Sequence, residues 1–150
     1  MAIALLLHLL AVIVWVGGMF FALFVLRGAA ARTLDPPLRL PLLADALEHF
    51  FRWVAGSIAV LLLTGGYMIY ALGGFRAVGV HVHAMIGLGI VMILIFGHLR
   101  FVSYLRLQKA VAAKQWPTAG TAMGRVRKLV MLNFVLGVLT IAVVILGRGL

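Results

Sequence analysis

Four stretches of this chain contain no Asp, Glu, Lys or Arg: residues 2–26, 53–75, 77–99 and 129–147. Their lengths, 25, 23, 23 and 19 residues, meet the requirement of about 17–25 residues for a helix that crosses hydrocarbon. Inside lipid every backbone N–H and C=O must be satisfied within its own segment or within a closed barrel, and the runs show no two-residue alternation, so they read as helices. The predicted fold class is an all-α integral membrane protein, an antiparallel four-transmembrane-helix bundle. Its helices are expected at about 2–26, 42–73, 77–107 and 126–147 of a single domain spanning 1–150. Composition agrees: 65% hydrophobic residues, 11% charged residues and a mean hydropathy of +1.22 leave too little polar surface to cover a soluble globule. The first run reads as a helix rather than a secretory signal, because no basic segment precedes it and it exceeds the apolar region of about 7–15 residues of such signals.

The net charge of +10 is distributed unevenly. Of 13 Lys and Arg, four (Arg27, Arg32, Arg39, Arg52) lie between runs 1 and 2, and seven (Arg100, Arg106, Lys109, Lys114, Arg125, Arg127, Lys128) lie between runs 3 and 4. Only Arg76 and Arg148 remain for the other side, a division of 11 to 2. The positive-inside rule then puts the connections 1–2 and 3–4 in the cytoplasm, and both termini with the 2–3 connection outside. In a bacterium this means an inner-membrane, multi-pass protein with periplasmic N- and C-termini. The same excess is a topology signal and an attraction to anionic headgroups, so no nucleic-acid partner is expected. Cysteine is absent, which excludes disulfides and thiolate metal sites.

Asp35-Pro36-Pro37 is predicted to interrupt the helices, since consecutive prolines remove donors and clash with the preceding turn. Pro41 suits a first helical turn, and the second helix is expected to begin near it as an amphipathic lead-in. Glu48 and Arg52 are there spaced i, i+4, and the helix enters the membrane near Trp53.

Chemistry then rests on five histidines. An ionisable side chain inside the membrane is expensive and marks function. His8 and His83 each lie about 9–10 Å from the midplane of their helices on the outer side, at a rise of 1.5 Å per residue. His8 shares a helical stripe with Trp15, Met19 and Ala22; His83 shares one with Gly87, Ile90, Leu94 and Gly97. Bis-His axial ligation of haem requires two imidazoles from different helices at one depth, and this pair meets the depth requirement. His81 points about 160° away from His83 on a helix and shares the face of Met85, a separate candidate. His98 lies about 22 Å along the helix from His83, and with His49 it forms an inner layer. His49 and His81 also read as interfacial, solvated side chains. Trp15 lies too deep for an interfacial belt and is a candidate for packing on a cofactor, whereas Trp53 fits the belt. Asn133, Gly137, Thr140 and Gly147 form a stripe that reads as a helix interface, as do Gly17-Gly18 and Gly65-Gly66.

His8 with Trp15-Val16-Gly17-Gly18-Met19-Phe20, His81-Val82-His83, Phe96-Gly97-His98-Leu99 and Arg125-Val126-Arg127-Lys128-Leu129-Val130 together resemble the short CopD-type, copper resistance D-like, membrane proteins over nearly the whole chain. That resemblance implies a membrane partner of periplasmic copper-resistance proteins. The first helix is also similar to that of HemJ-type protoporphyrinogen oxidases, small four-helix haem b proteins, although Phe21-Ala22-Leu23-Phe24 stands where those carry a Leu-Pro-Arg-Leu-type stretch.

The leading expectation from the residues is a b-type haem protein with one haem b, or two. His8 and His83 would be the outer axial ligands, and His98, with His49, a second centre. Electron transfer or haem-linked membrane oxidoreductase chemistry would follow, with a quinone or a periplasmic redox partner and a homo-oligomer as the expected associations. The alternative is a copper transport or resistance component without haem, using His81, His83 and Met85. A third reading is a structural subunit whose histidines bond across helices. No catalytic acid or base is identified, because Asp35, Asp45 and Glu48 all lie on the basic side and balance local arginines.

Overall fold

The computed structural model describes residues 1–147. Among them are four long helices, α1 Ala2–Thr33, α2 Pro36–Ala71, α3 Val80–Ala112 and α4 Trp116–Gly147, each long and apolar enough to span a membrane. The chain is therefore a multi-pass membrane protein, and its class is the all-α bundle expected. At 32–36 residues the helices are about 48–54 Å long, against a hydrocarbon core of about 30 Å. The surplus lies at one end, where the helices carry most of the arginines and lysines. That end is called the basic end, and the opposite one the termini end.

The surplus changes the connections. The two basic segments that read as long loops are instead helical extensions, and what remains between α1 and α2 is Leu34 and Asp35, and between α3 and α4 residues 113–115. The 2–3 connection, expected to be the short one, is the longest, running over residues 72–79 with a single 3₁₀ turn at Phe75–Ala77. Gly73 and Gly74 take φ of +101° and +91° there, a region closed to most side chains. Pro36 and Pro37 do not interrupt helix: they open α2, directly after the extended Asp35. The first-turn N–H groups of a helix have no intrahelical acceptor, so two prolines at this position forfeit nothing. Pro41 consequently lies inside α2 rather than in its first turn.

The buried core is concentrated toward the basic end. Phe51, Val54, Leu99, Tyr104, Leu107, Ala119 and Val126 are each 2% exposed or less. Water at that end supplies the hydrophobic driving force that lipid does not, so tight packing accumulates where the helices leave the hydrocarbon. Toward the termini end the buried side chains thin out to Ala11, Ser57 and Thr64, and no residue of α3 before Met92 is buried. There α1 lies on α2, while α3 and α4 pack on each other along their length.

Helix α1 contains two π-helical segments, Ile13–Gly17 and Phe21–Leu26. Through these segments its buried residues Ala11, Trp15, Met19 and Leu23 recur at every fourth position, and Ala30 is buried beyond them. In a regular α-helix such a row drifts about 40° per step, and the wider i→i+5 turns cancel the drift. The buried face therefore continues to Leu23 in place of Ala22, which the regular 100° spacing selects. On α4, Gly137 admits Val16 of α1 and Met92 of α3, so the small-residue stripe is an interface. Beside it buried Asn133 donates from Nδ2 to the Met92 carbonyl at 3.2 Å, while its Oδ1 accepts nothing among the described residues.

Candidate functional site: histidines at the termini end

His8 is half-buried on α1, and its Nδ1 lies 2.9 Å from Thr64 Oγ1 of α2. The Thr64 hydroxyl has one proton, and it is directed to the Val60 carbonyl at 2.6 Å, the usual back-bond of a helical threonine. With that proton so directed, Thr64 accepts from His8, an arrangement in which neutral His8 is the Nδ1–H tautomer and its Nε2 carries the lone pair. Metal-ligating histidines are held in this way, one nitrogen tied to a protein oxygen and the other presented to the metal. Gly65 lies beside the same ring: a Cβ there would make an ordinary van der Waals contact with His8 Cε1 at 3.5 Å. Thr64 and Gly65 are neighbours of His8 that the histidine pattern alone did not identify. Their signal is a hydroxyl beside a glycine pair within a charge-free run.

His83 is exposed in the first turn of α3, and its Nδ1 donates to the Gly79 carbonyl at 3.1 Å, so that in the neutral ring Nε2 carries the lone pair. His81, one turn before Met85, is half-buried, as Met85 is. It is seated between two glycines, since a Cβ on Gly147 would come within 2.6 Å of His81 Cβ and one on Gly79 within 2.7 Å of its ring. The hydrogen bond of His8 goes to α2, the one described for His83 stays within its own first turn, and His81 rests on α4. Helices α1 and α3 meet deeper, where Trp15, 4% exposed, packs edge-on against Phe96 at 6.4 Å between ring centroids. Trp15 thus takes part in the helix core.

The inner histidines lie apart from these. His49 is exposed on α2, donating to the Asp45 carbonyl at 3.0 Å with the Asp45 carboxylate 3.7 Å away. His98 is exposed where α3 passes into its π segment Leu99–Ser103. Among the described residues no group of three or more His, Cys, Asp or Glu converges to hold a metal ion.

At the basic end Glu48 is the centre of a polar network. Its Oε1 faces Arg52 at 3.4 Å and Arg100 of α3 at 3.5 Å, and its Oε2 accepts from Gln108 at 3.2 Å. Buried Tyr104 donates to the Ala44 carbonyl at 2.8 Å, and the Arg100 guanidinium lies 5.3 Å over its ring. The i, i+4 pair of Glu48 and Arg52 was readable from spacing; the links to α3 were not, because they join residues some 50–60 positions apart. The network fastens α2 to α3.

Comparison with protein-family models matches residues 44–146, or 103 of 150, to the family described as Copper resistance protein D. No curated protein and no solved structure matches the chain. The matched range contains His49, His81, His83, Met85 and His98, and begins after α1 with His8 and Trp15. With more than half its length matched, and with four apolar helices in the structure, the chain belongs to the copper resistance protein D (CopD) family.

Proposed function

We propose that this protein is a copper-handling membrane component of the copper-resistance D type, taking up copper at its termini end. The observation that carries this reading is the position of His81 and Met85. Both fall inside the matched range, both are half-buried one helical turn apart on α3, and imidazole with thioether is a donor set suited to Cu(I). Exposed His83, whose Nδ1 is tied to the Gly79 carbonyl, stands two residues away as a hand-over position. By the distribution of arginine and lysine the termini end faces the periplasm of a bacterial inner membrane, so copper would come from a periplasmic copper protein. Copper is cargo here, and the sparse donor set suits a transfer position better than a closed storage cage.

The test is Cu(I) binding by the purified chain under reducing conditions, read by metal analysis after gel filtration. His81→Ala/Met85→Ala should lose affinity at least tenfold while His49→Ala stays at the wild-type value. Undiminished binding by the double variant would refute the assignment.

A second reading, b-type haem, is favoured by one observation: the Thr64 bond to Nδ1 leaves the His8 Nε2 lone pair to ligate a metal, which is how an axial histidine is held. His8 fits the donor chemistry; His83 would have to supply the opposing ligand from α3, and bound haem would supply one-electron chemistry. Oxidised and reduced optical spectra decide between the readings. A Soret band that disappears with His8→Ala establishes haem; its absence from protein that binds copper leaves the copper reading.

A further inference from the structure

Away from the histidines, the basic end contains a cavity of about 530 Å³ between α1, α2 and α4. Arg27 of α1, Arg39 of α2 and Arg127 of α4 all line it, and no carboxylate does. Its remaining walls are mainly apolar, Phe21, Leu43 and Phe50 among them. Gly120 and Gly124 of α4 also line it, and a Cβ added at either would meet nothing within 4 Å, so these glycines keep that wall open. Among the described residues none of the three arginines is in an ion pair; the ion pairs of the basic end belong to His49, Arg52 and Arg100.

Three arginines lining one mainly apolar cavity, with no carboxylate among its lining residues, repel one another, and an anion placed between them relieves that repulsion. Guanidinium also matches phosphate oxygens in a bidentate geometry. The volume lies within the range of about 300–1,000 Å³ typical of small-molecule sites. Arg39 and Arg127 are half-buried and Arg27 is exposed where they line the cavity, whereas Arg32, Arg125 and Lys128 are exposed and do not line it. We propose that this cavity is a binding site for one anionic phospholipid, with its phosphate held by Arg27, Arg39 and Arg127 and part of an acyl chain lying against the apolar wall opened by Gly120 and Gly124. A bound lipid would join α1, α2 and α4 at the end where the helices leave the membrane.

The experiment uses the full chain in mild detergent, with phosphatidylglycerol or phosphatidylcholine of the same acyl chains, and counts retained lipids by native mass spectrometry. One phosphatidylglycerol per chain should be retained at least tenfold better than phosphatidylcholine. Arg27→Gln/Arg39→Gln/Arg127→Gln should weaken retention about a hundredfold, at roughly fivefold per cationic side chain. The charge-matched control Arg32→Gln/Arg125→Gln/Lys128→Gln should stay within twofold of wild type. Gly124→Leu, which fills the apolar wall and leaves every charge in place, should reduce retention at least fivefold. Equal losses in the two triple variants, equal retention of the two lipids, or a Gly124→Leu protein that binds like wild type would each overturn the proposal.

Discussion

Replacing Thr64 with Val tests the arrangement that frees His8 Nε2. Valine has nearly the shape of threonine, so the change removes the acceptor of the 2.9 Å bond and leaves the packing beside Gly65 in place. Hydrogen bonds between membrane helices contribute about 0.6 kcal/mol on average and up to about 1.7. His8 is only half-buried, so its unbonded Nδ1–H can be partly rehydrated, and the value belongs in the lower part of that range. Thr64→Val should therefore destabilise the α1–α2 contact by about 0.5–1 kcal/mol. In a double-mutant cycle with His8→Phe, measured by unfolding in mixed micelles, the coupling energy should be of the same size, about 0.5–1 kcal/mol. The second assay is nitrogen NMR of the His8 ring at a pH where it is neutral. Wild type should show a protonated Nδ1 and a bare Nε2, and Thr64→Val a mixture of tautomers. A wild-type ring protonated on Nε2, or a coupling energy of zero, would refute the reasoning.

Gly137→Ala should destabilise the bundle by about 1–3 kcal/mol in the same unfolding assay, because its Cβ would sit 2.9 Å from Val16 Cγ2 and 3.3 Å from Met92 Cε. Gly17→Ala, which meets open space, should be neutral or slightly stabilising. Tyr104→Phe should cost about 1–2 kcal/mol through the lost bond to the Ala44 carbonyl, with no effect on copper binding at the termini end. Because the chain has no cysteine, single-cysteine labelling reads its orientation directly. A membrane-impermeant thiol reagent should modify Phe75→Cys in intact spheroplasts and Gln115→Cys only after the membrane is opened; the reverse pattern would invert the orientation.

The class of the fold, the number of spans and the grouping of charge at one end were legible in the order of the residues alone. The reason is that a charged side chain or an unsatisfied backbone group in hydrocarbon costs several kcal/mol, so 25, 23, 23 and 19 residues without a charge leave few alternatives. How far the helices run was a matter of packing, because the basic ends of α1–α4 extend past what hydrocarbon requires, and there the surfaces they bury, and not their charges, determine whether they stay helical. The tertiary structure also decided the continuation of the α1 face to Leu23, since the π turns change the period that sequence reasoning assumes. Depth alone paired His8 with His83, because hydropathy records position along a helix and carries nothing about rotation around it. The structure gives His8 the hydroxyl of Thr64, 56 residues away, and seats His81 against Gly147. Which neighbour a membrane histidine meets is set by close approach at small residues on another helix, a property of packing between segments that no single segment contains.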